Sequence, residues 1–248
     1  MIAALVVLGL VGAWEAYAQL SGIDDFVLPA PSAVVTALHD DRALLWSNFT
    51  VTAGEIALGM LVALVLGLAC AVAIHFSDVL RRALYPLLIG SQTIPVVLVA
   101  PLLVAWWGFG LVPKLAIVAL VCFFPIVVPT LDALDRVDPD LRKLMRTFGA
   151  TRWQTFRMVE APAALPGVLT GAKLSVAVAA IAAILAELAG SDAGLGNLML
   201  KAIPQFETAR AFAAVLILSV FAVALFGLLA LAERRLLPWA HQPRGTAS

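Results

Sequence analysis

Glu187 is the side chain of this 248-residue sequence with the strongest claim to chemistry. It lies near the end of an apolar run, Gly167 to Gly190, where an ionisable group is costly and therefore a functional candidate by default. Gly171, Ser175, Ala179 and Ala183 recur every four residues, and Glu187 continues the series. Residues at that spacing share one helix face, so the carboxylate points at a packed neighbour and not at lipid. Two roles are open to it: a group on a translocation pathway, or a salt bridge or helix cap at the outer interface. Lys173 stands fourteen residues away, about 21 Å along a helix, and cannot be its partner.

Other chemistries are excluded by missing motifs. No G-x-x-x-x-G-K-S/T loop is present, so the chain does not hold ATP through a P-loop. H-E-x-x-H and G-x-S-x-G are absent too. His39, His75 and His241 lie outside or at the ends of apolar runs, and His75 reads as solvated. Cys70 and Cys122 sit inside such runs and read as small buried hydrophobes, not as a disulfide or a metal site. No catalytic residue, metal ligand or cofactor site is therefore assigned to this chain. An ion-coupled secondary transporter, the alternative class, would show paired ionisable residues near mid-membrane or inverted repeats. Neither is evident in the sequence.

The elements that must position Glu187 are membrane spans. The chain is 62% apolar and 13% charged, against about 25% charged in a soluble domain. Several apolar stretches approach the 20 or so residues that cross a bilayer. The sequence predicts an all-α polytopic membrane bundle of about six spans, forming one domain over 1–240 with a disordered tail, 241–248. Span one is Ile2 to Leu20. Ser21–Asn48 is extracytoplasmic, with a short interfacial helix from Pro31-Ser32 to about Leu45. Span two, Val51 to His75, carries its own small-residue stripe, Gly59, Ala63, Gly67 and Ala71, which lets another helix approach closely. Span three, Leu84 to Gly108, is interrupted by Pro95 and Pro101 after Gln92 and Thr93. Such a break is tolerated at membrane depth only beside protein or a wet cavity. Gln92, Pro95 and Pro101 are therefore pathway candidates, an ordinary proline kink being the plainer reading. Span four runs from Val112 to Leu131, span five from Gly167 to Gly190, and span six from Ala211 to Ala232. Between the last two, Gly194-Leu195-Gly196 opens a segment that reads as a re-entrant or interfacial turn, and Gly194 and Gly196 join the pathway candidates.

One polar island interrupts this pattern. Asp132–Glu160 holds 11 of the 32 charged residues, 6 basic and 5 acidic. A charge at mid-bilayer costs roughly 2.5–3.5 kcal/mol, so the segment sits in water. Pro139 can open a helix there, with Leu141, Leu144, Met145 and Phe148 at helical spacing. Gly149 stands where a left-handed C-cap favours glycine. Thr151 and Gln154 have capping-box spacing, so a second helix starts near Arg152 and runs toward Glu160. Pro162 and Pro166 are expected to break it before span five. A surface hairpin packed on its own bundle is the plain reading. Its place between two spans and its near-balanced charges argue against a DNA-reading helix-turn-helix, and zero net charge gives no other sign of nucleic acid. With six spans, 12 lysines and arginines fall on the side of this loop and 4 on the other, which places loop and both termini in the cytoplasm.

The loop, 132–166, resembles the coupling loop of permease subunits of bacterial ABC importers. That family's signature reads E-A-A, three residues, G, nine residues, I-x-L-P. Here Gly149 and Pro162 fit, Val159 replaces the isoleucine, Ala161 the leucine, and Lys143-Leu144-Met145 stands in place of E-A-A. Asp138-Pro139, Phe148-Gly149-Ala150-Thr151-Arg152-Trp153 and Pro162-Ala163-Ala164-Leu165-Pro166 resemble the nitrate/sulfonate/taurine branch. The likeness extends from Leu28-Pro29-Ala30-Pro31-Ser32 to the end. Ser91-Gln92-Thr93-Ile94-Pro95, Trp107-Gly108-Phe109-Gly110 and Cys122-Phe123-Phe124-Pro125-Ile126-Val127-Val128 look most like permeases for pyrimidine precursors of thiamine. The resemblance implies a non-enzymatic transport subunit in a bacterial inner membrane, surrounded by lipid. Its implied partners are a second permease copy, two ATPase subunits that bind ATP and Mg, and an extracytoplasmic solute-binding protein. It also implies ATPase coupling through Arg142, Arg146, Gly149, Ala150, Arg152, Trp153, Val159 and Pro162.

Overall fold

Helix α6, Leu111–Asp135, runs between α3, Arg42–Phe76, and α9, Ala161–Gly190, and these three form the centre of the bundle. The structure is a computed structural model that describes residues 2–238, with side chains from residue 5. The predicted tail, with His241 and Arg244, lies outside the described residues. Regular structure among those described is helical throughout, as predicted.

The two small-residue stripes explain why α6 is central. A Cβ on Gly59 would stand 2.6 Å from Val118 Cβ, and one on Gly67 would stand 2.9 Å from Ile126 Cγ2. On the other side, a Cβ on Gly171 would meet the Pro125 carbonyl oxygen at 2.5 Å. That carbonyl is free for close packing because Pro129, four residues on, has no N–H to offer it. Ser175 Oγ donates to Cys122 O at 3.2 Å across the same seam. Lipid is as apolar as leucine, so association here rests on close packing between small residues and not on escape from water.

The remaining helices wrap this core. They are α1, Ile2–Leu20; α2, Pro31–Asp40; α4, Asp78–Ser91; α5, Val96–Trp107; α7, Pro139–Thr147; α8, Arg152–Thr155; α10, Leu195–Ala202; and α11, Thr208–Leu236. Among the described residues, α3, α6, the continuous stretch Arg152–Gly190 and α11 are long and apolar enough to cross a membrane. A fifth crossing results if α4 and α5, bent by 102°, are one broken span. Contacts at their two ends support that count. Arg81 at the start of α4 pairs with Asp135 at the end of α6, while Phe109 after α5 packs on Gly190 at the far end of α9. Helix α1 is 19 residues long, and Glu15 near its end accepts from Ser32 N at 2.9 Å.

Three expectations about boundaries need correction. The interfacial helix ends at Asp40 and not near Leu45, because Asp41 leaves helical geometry and a 35-residue α3 begins at Arg42. The outer turns of α3 persist because Leu45 buries against Leu195, Leu198, Ala213 and Ala214 of α10 and α11. In span three the break falls at Pro95, which caps α5, while Pro101 is carried inside that helix. Pro162 and Pro166 do not break the second hairpin helix. A π-helical turn, Phe156–Glu160, precedes them, with Ala161 N bonded to Phe156 O. Widening the turn makes room for the proline ring against the preceding carbonyls, so the helix continues into α9.

Candidate functional site

The polar island folds as its local signals require. Asp138 caps α7 by accepting from Asp140 N at 2.8 Å. Gly149 is left-handed at φ 74°, and Gly149 N and Ala150 N donate to Arg146 O and Met145 O at 2.9 and 3.0 Å. The capping box closes both ways, Gln154 N to Thr151 Oγ1 at 3.3 Å and Thr151 N to Gln154 Oε1 at 2.8 Å. Leu141, Leu144, Phe148 and Trp153 are left exposed around this turn, Phe148 at 77%.

Long-range polar contacts fasten the hairpin to the bundle. Arg142 pairs with Glu160 at 2.6 Å and donates to Leu134 O at 2.6 Å. Glu160 is 2.9 Å from His75 Nε2 at the end of α3, so His75 is a part-buried partner and not the solvated group expected. Arg152 donates to His75 O at 3.0 Å and lies 4.9 Å over the Phe76 ring. Trp153 stacks on Phe156 at 5.4 Å. Arg142, Arg146, Ala150 and Arg152 line one cavity of about 390 Å³, together with Arg81 and Asp135. Val159 and Pro162 lie half-buried on the helix leading into α9, away from that cavity.

At the opposite end a second polar cluster is almost wholly enclosed. Glu187 is 1% exposed and accepts from Thr52 Oγ1 at 2.5 Å, Gly196 N at 2.6 Å and Asn197 N at 3.2 Å. It therefore caps the N-terminus of α10, where unpaired N–H groups and the helix dipole favour an anion. Gly194, at φ 114°, must be glycine because any Cβ would fall on the Glu187 carboxylate. Its N–H donates to Asn48 Oδ1 at 2.8 Å, and Leu195 N donates to Thr52 Oγ1 at 2.8 Å. Beside this, Lys114 Nζ holds Glu55 Oε1 at 2.7 Å and Ser191 Oγ at 2.5 Å. Glu187, Gly194 and Gly196 thus come together. Gln92, Pro95 and Pro101 do not join them; they are exposed at and after the α4–α5 bend.

The absence of paired ionisable residues does not hold, since Glu55 and Lys114 form a buried pair. A signal for Glu55 was available: it precedes Gly59 by four residues and so continues the stripe of α3, as Glu187 continues that of α9. Lys114, Ser191 and Asn48 carried no such mark.

Residues 63–238 match the family described as binding-protein-dependent transport system inner membrane component. The formylaminopyrimidine transport permease protein of Halalkalibacterium halodurans is 35% identical over 227 residues, covering 91% of this chain and 90% of that protein. The riboflavin transport system permease protein of Chloroflexus aurantiacus is 36% identical over 228 residues, covering 91% and 85%. The aliphatic sulfonates transport permease protein of Bacillus subtilis is 30% identical over 238 residues, covering 95% and 86%. An amino acid ABC transporter crystallised with histidines shares the fold, at a TM-score of 0.65 and 18% identity over 81% of this chain and 97% of that one.

Proposed function

The chain belongs to the binding-protein-dependent transport system inner membrane component family, and we propose that its α7–α8 hairpin is where an ATPase subunit drives it. The observation that carries this reading is the pairing of an exposed apolar rim with a rigid attachment. Leu141, Leu144, Phe148 and Trp153 face outward around the Gly149 turn. Behind them, Arg142, Glu160 and His75 tie the hairpin to α6, α9 and α3. A push on the rim is thereby delivered to the three central helices, which pack through small residues and move as rigid bodies. Two permease copies form the pathway, two ATPase subunits supply ATP and Mg chemistry, and an extracytoplasmic binding protein delivers the solute. The hairpin and the end of α11 lie on the cytoplasmic side, a placement supported by the excess of arginine at the hairpin end of the bundle, and the start of α1 joins them there with α1 as a sixth crossing.

The proposed cargo is a small organic solute, a pyrimidine precursor of thiamine before nitrate, a sulfonate or taurine. The order rests on the formylaminopyrimidine permease among the relatives. Isotopic uptake by the reconstituted system, with a pyrimidine, a sulfonate and nitrate in competition, tests it. The ion-coupled reading draws on the buried Glu55–Lys114 pair. Uptake driven by an ion gradient with no ATPase present would favour it.

Gly149→Asp tests the coupling assignment. Nothing lies within 4 Å of a Cβ at Gly149, so the fold has room for the new side chain. Its left-handed backbone costs a residue with a Cβ about 1–2 kcal/mol, and the added charge faces the docking surface. The expected result is normal insertion with loss of ATPase pull-down or of substrate-stimulated hydrolysis. Arg81 cannot serve as a control residue, since it pairs with Asp135 in the same cavity. Arg42→Ala, at the other end of the bundle, is the suitable comparison. Wild-type coupling in Gly149→Asp would refute the assignment.

A further inference from the structure

We infer that the arginine-lined cavity beneath α6 is a binding site for a phosphate group. Arg81 of α4, Arg142 and Arg146 of α7, and Arg152 of α8 all border it. Asp135 and Glu160 are the carboxylates on its lining, Asp78 adds one more negative charge near Arg81, and the four guanidiniums still leave an excess of positive charge. Like charges gathered at one concavity repel, and a bound anion relieves that repulsion.

The donors are only partly committed. Arg81 engages Asp135 with both terminal nitrogens. Arg142 spends one terminal nitrogen on Leu134 O, and its Nε, although 2.6 Å from Glu160, does not direct its N–H there. Arg152 spends one nitrogen on His75 O. Arg146 is exposed, and among the described residues it reaches no carboxylate within ion-pair range. A guanidinium has five N–H donors in a planar fork suited to two oxygens of one phosphate, so several remain for a ligand. The cavity volume of about 390 Å³ exceeds what a phosphate group alone needs and suits an inorganic phosphate with water or a phosphomonoester. An anion held there would bridge α4, α7 and α8, three segments that otherwise meet through few contacts. The inference does not depend on the hairpin's role toward an ATPase.

The shared chemistry, a phosphate oxyanion, is available from solution or from a lipid headgroup. Full-length protein in phosphatidylcholine nanodiscs is titrated with inorganic phosphate, with sodium chloride at matched ionic strength as reference, and melting is followed. A saturable stabilisation by phosphate is expected. Arg146→Gln and Arg152→Gln should each weaken it about tenfold or more, as loss of a charged hydrogen bond does, while Arg42→Gln should not. Arg146 makes no carboxylate pair, so its substitution leaves the fold in place. Replacing part of the lipid by phosphatidylglycerol separates the sources. If that lipid alone stabilises, in an Arg146-dependent way, the site takes a headgroup; if phosphate does so in neutral lipid, it takes the free ion. No saturable response to either probe, or an equal response in Arg146→Gln, overturns the inference.

Discussion

Removing the Lys114 ammonium should destabilise the bundle far more than a lysine substitution ordinarily does. Lys114→Met keeps the stem and deletes the charge. Glu55, 2% exposed, would be left without the Lys114 cation, and Ser191 Oγ without its donor at 2.5 Å. Breaking a buried ion pair from one side costs about 3–5 kcal/mol, since the abandoned charge stays desolvated. Glu55 Oε2 already lacks a hydrogen-bond partner, which adds to the cost. Adding Glu55→Gln should recover much of the loss, because that change removes the stranded charge. The assay is a double-mutant cycle of unfolding free energies in detergent, with a coupling energy of about 2 kcal/mol or more expected. A Lys114→Met cost below about 1 kcal/mol, the range of solvated pairs, would show that water reaches the pair and would refute the argument.

Glu187→Gln should insert normally but lose about 1–3 kcal/mol of stability, since its amide has one accepting oxygen where the carboxylate uses two, one for Thr52 and one for Gly196 and Asn197. Transport should change with it; wild-type uptake together with wild-type melting would reduce Glu187 to a dispensable cap. Gly67→Leu should weaken the α3–α6 seam, because even a Cβ there would press to 2.9 Å from Ile126, and overpacking typically costs about 1–3 kcal/mol. An unchanged melting temperature would mean that the helices part without loss.

The sequence alone determined what depends on neighbours along the chain. Pro139, Gly149 and the Thr151–Gln154 box specify a helix, a left-handed turn and a helix start within a few residues of themselves, and all three stand in the structure. The four-residue stripes of α3 and α9 are equally local, since helix pitch alone puts Gly59, Gly67, Gly171 and Glu187 on packed faces. Where a competing interaction lay elsewhere, local signals failed. The start of α3 moved outward because Leu45 is buried by helices 150 or more residues downstream. Pro162 lost its power to end a helix once the turn before it widened. The polar partners were decided only by tertiary packing. Lys114 meets Glu55 59 residues away and Ser191 77 residues away, and Thr52 meets Glu187 across 135. A side chain's face is set by periodicity, but which charge it meets depends on how three helices are pressed together, and no spacing within one helix records that.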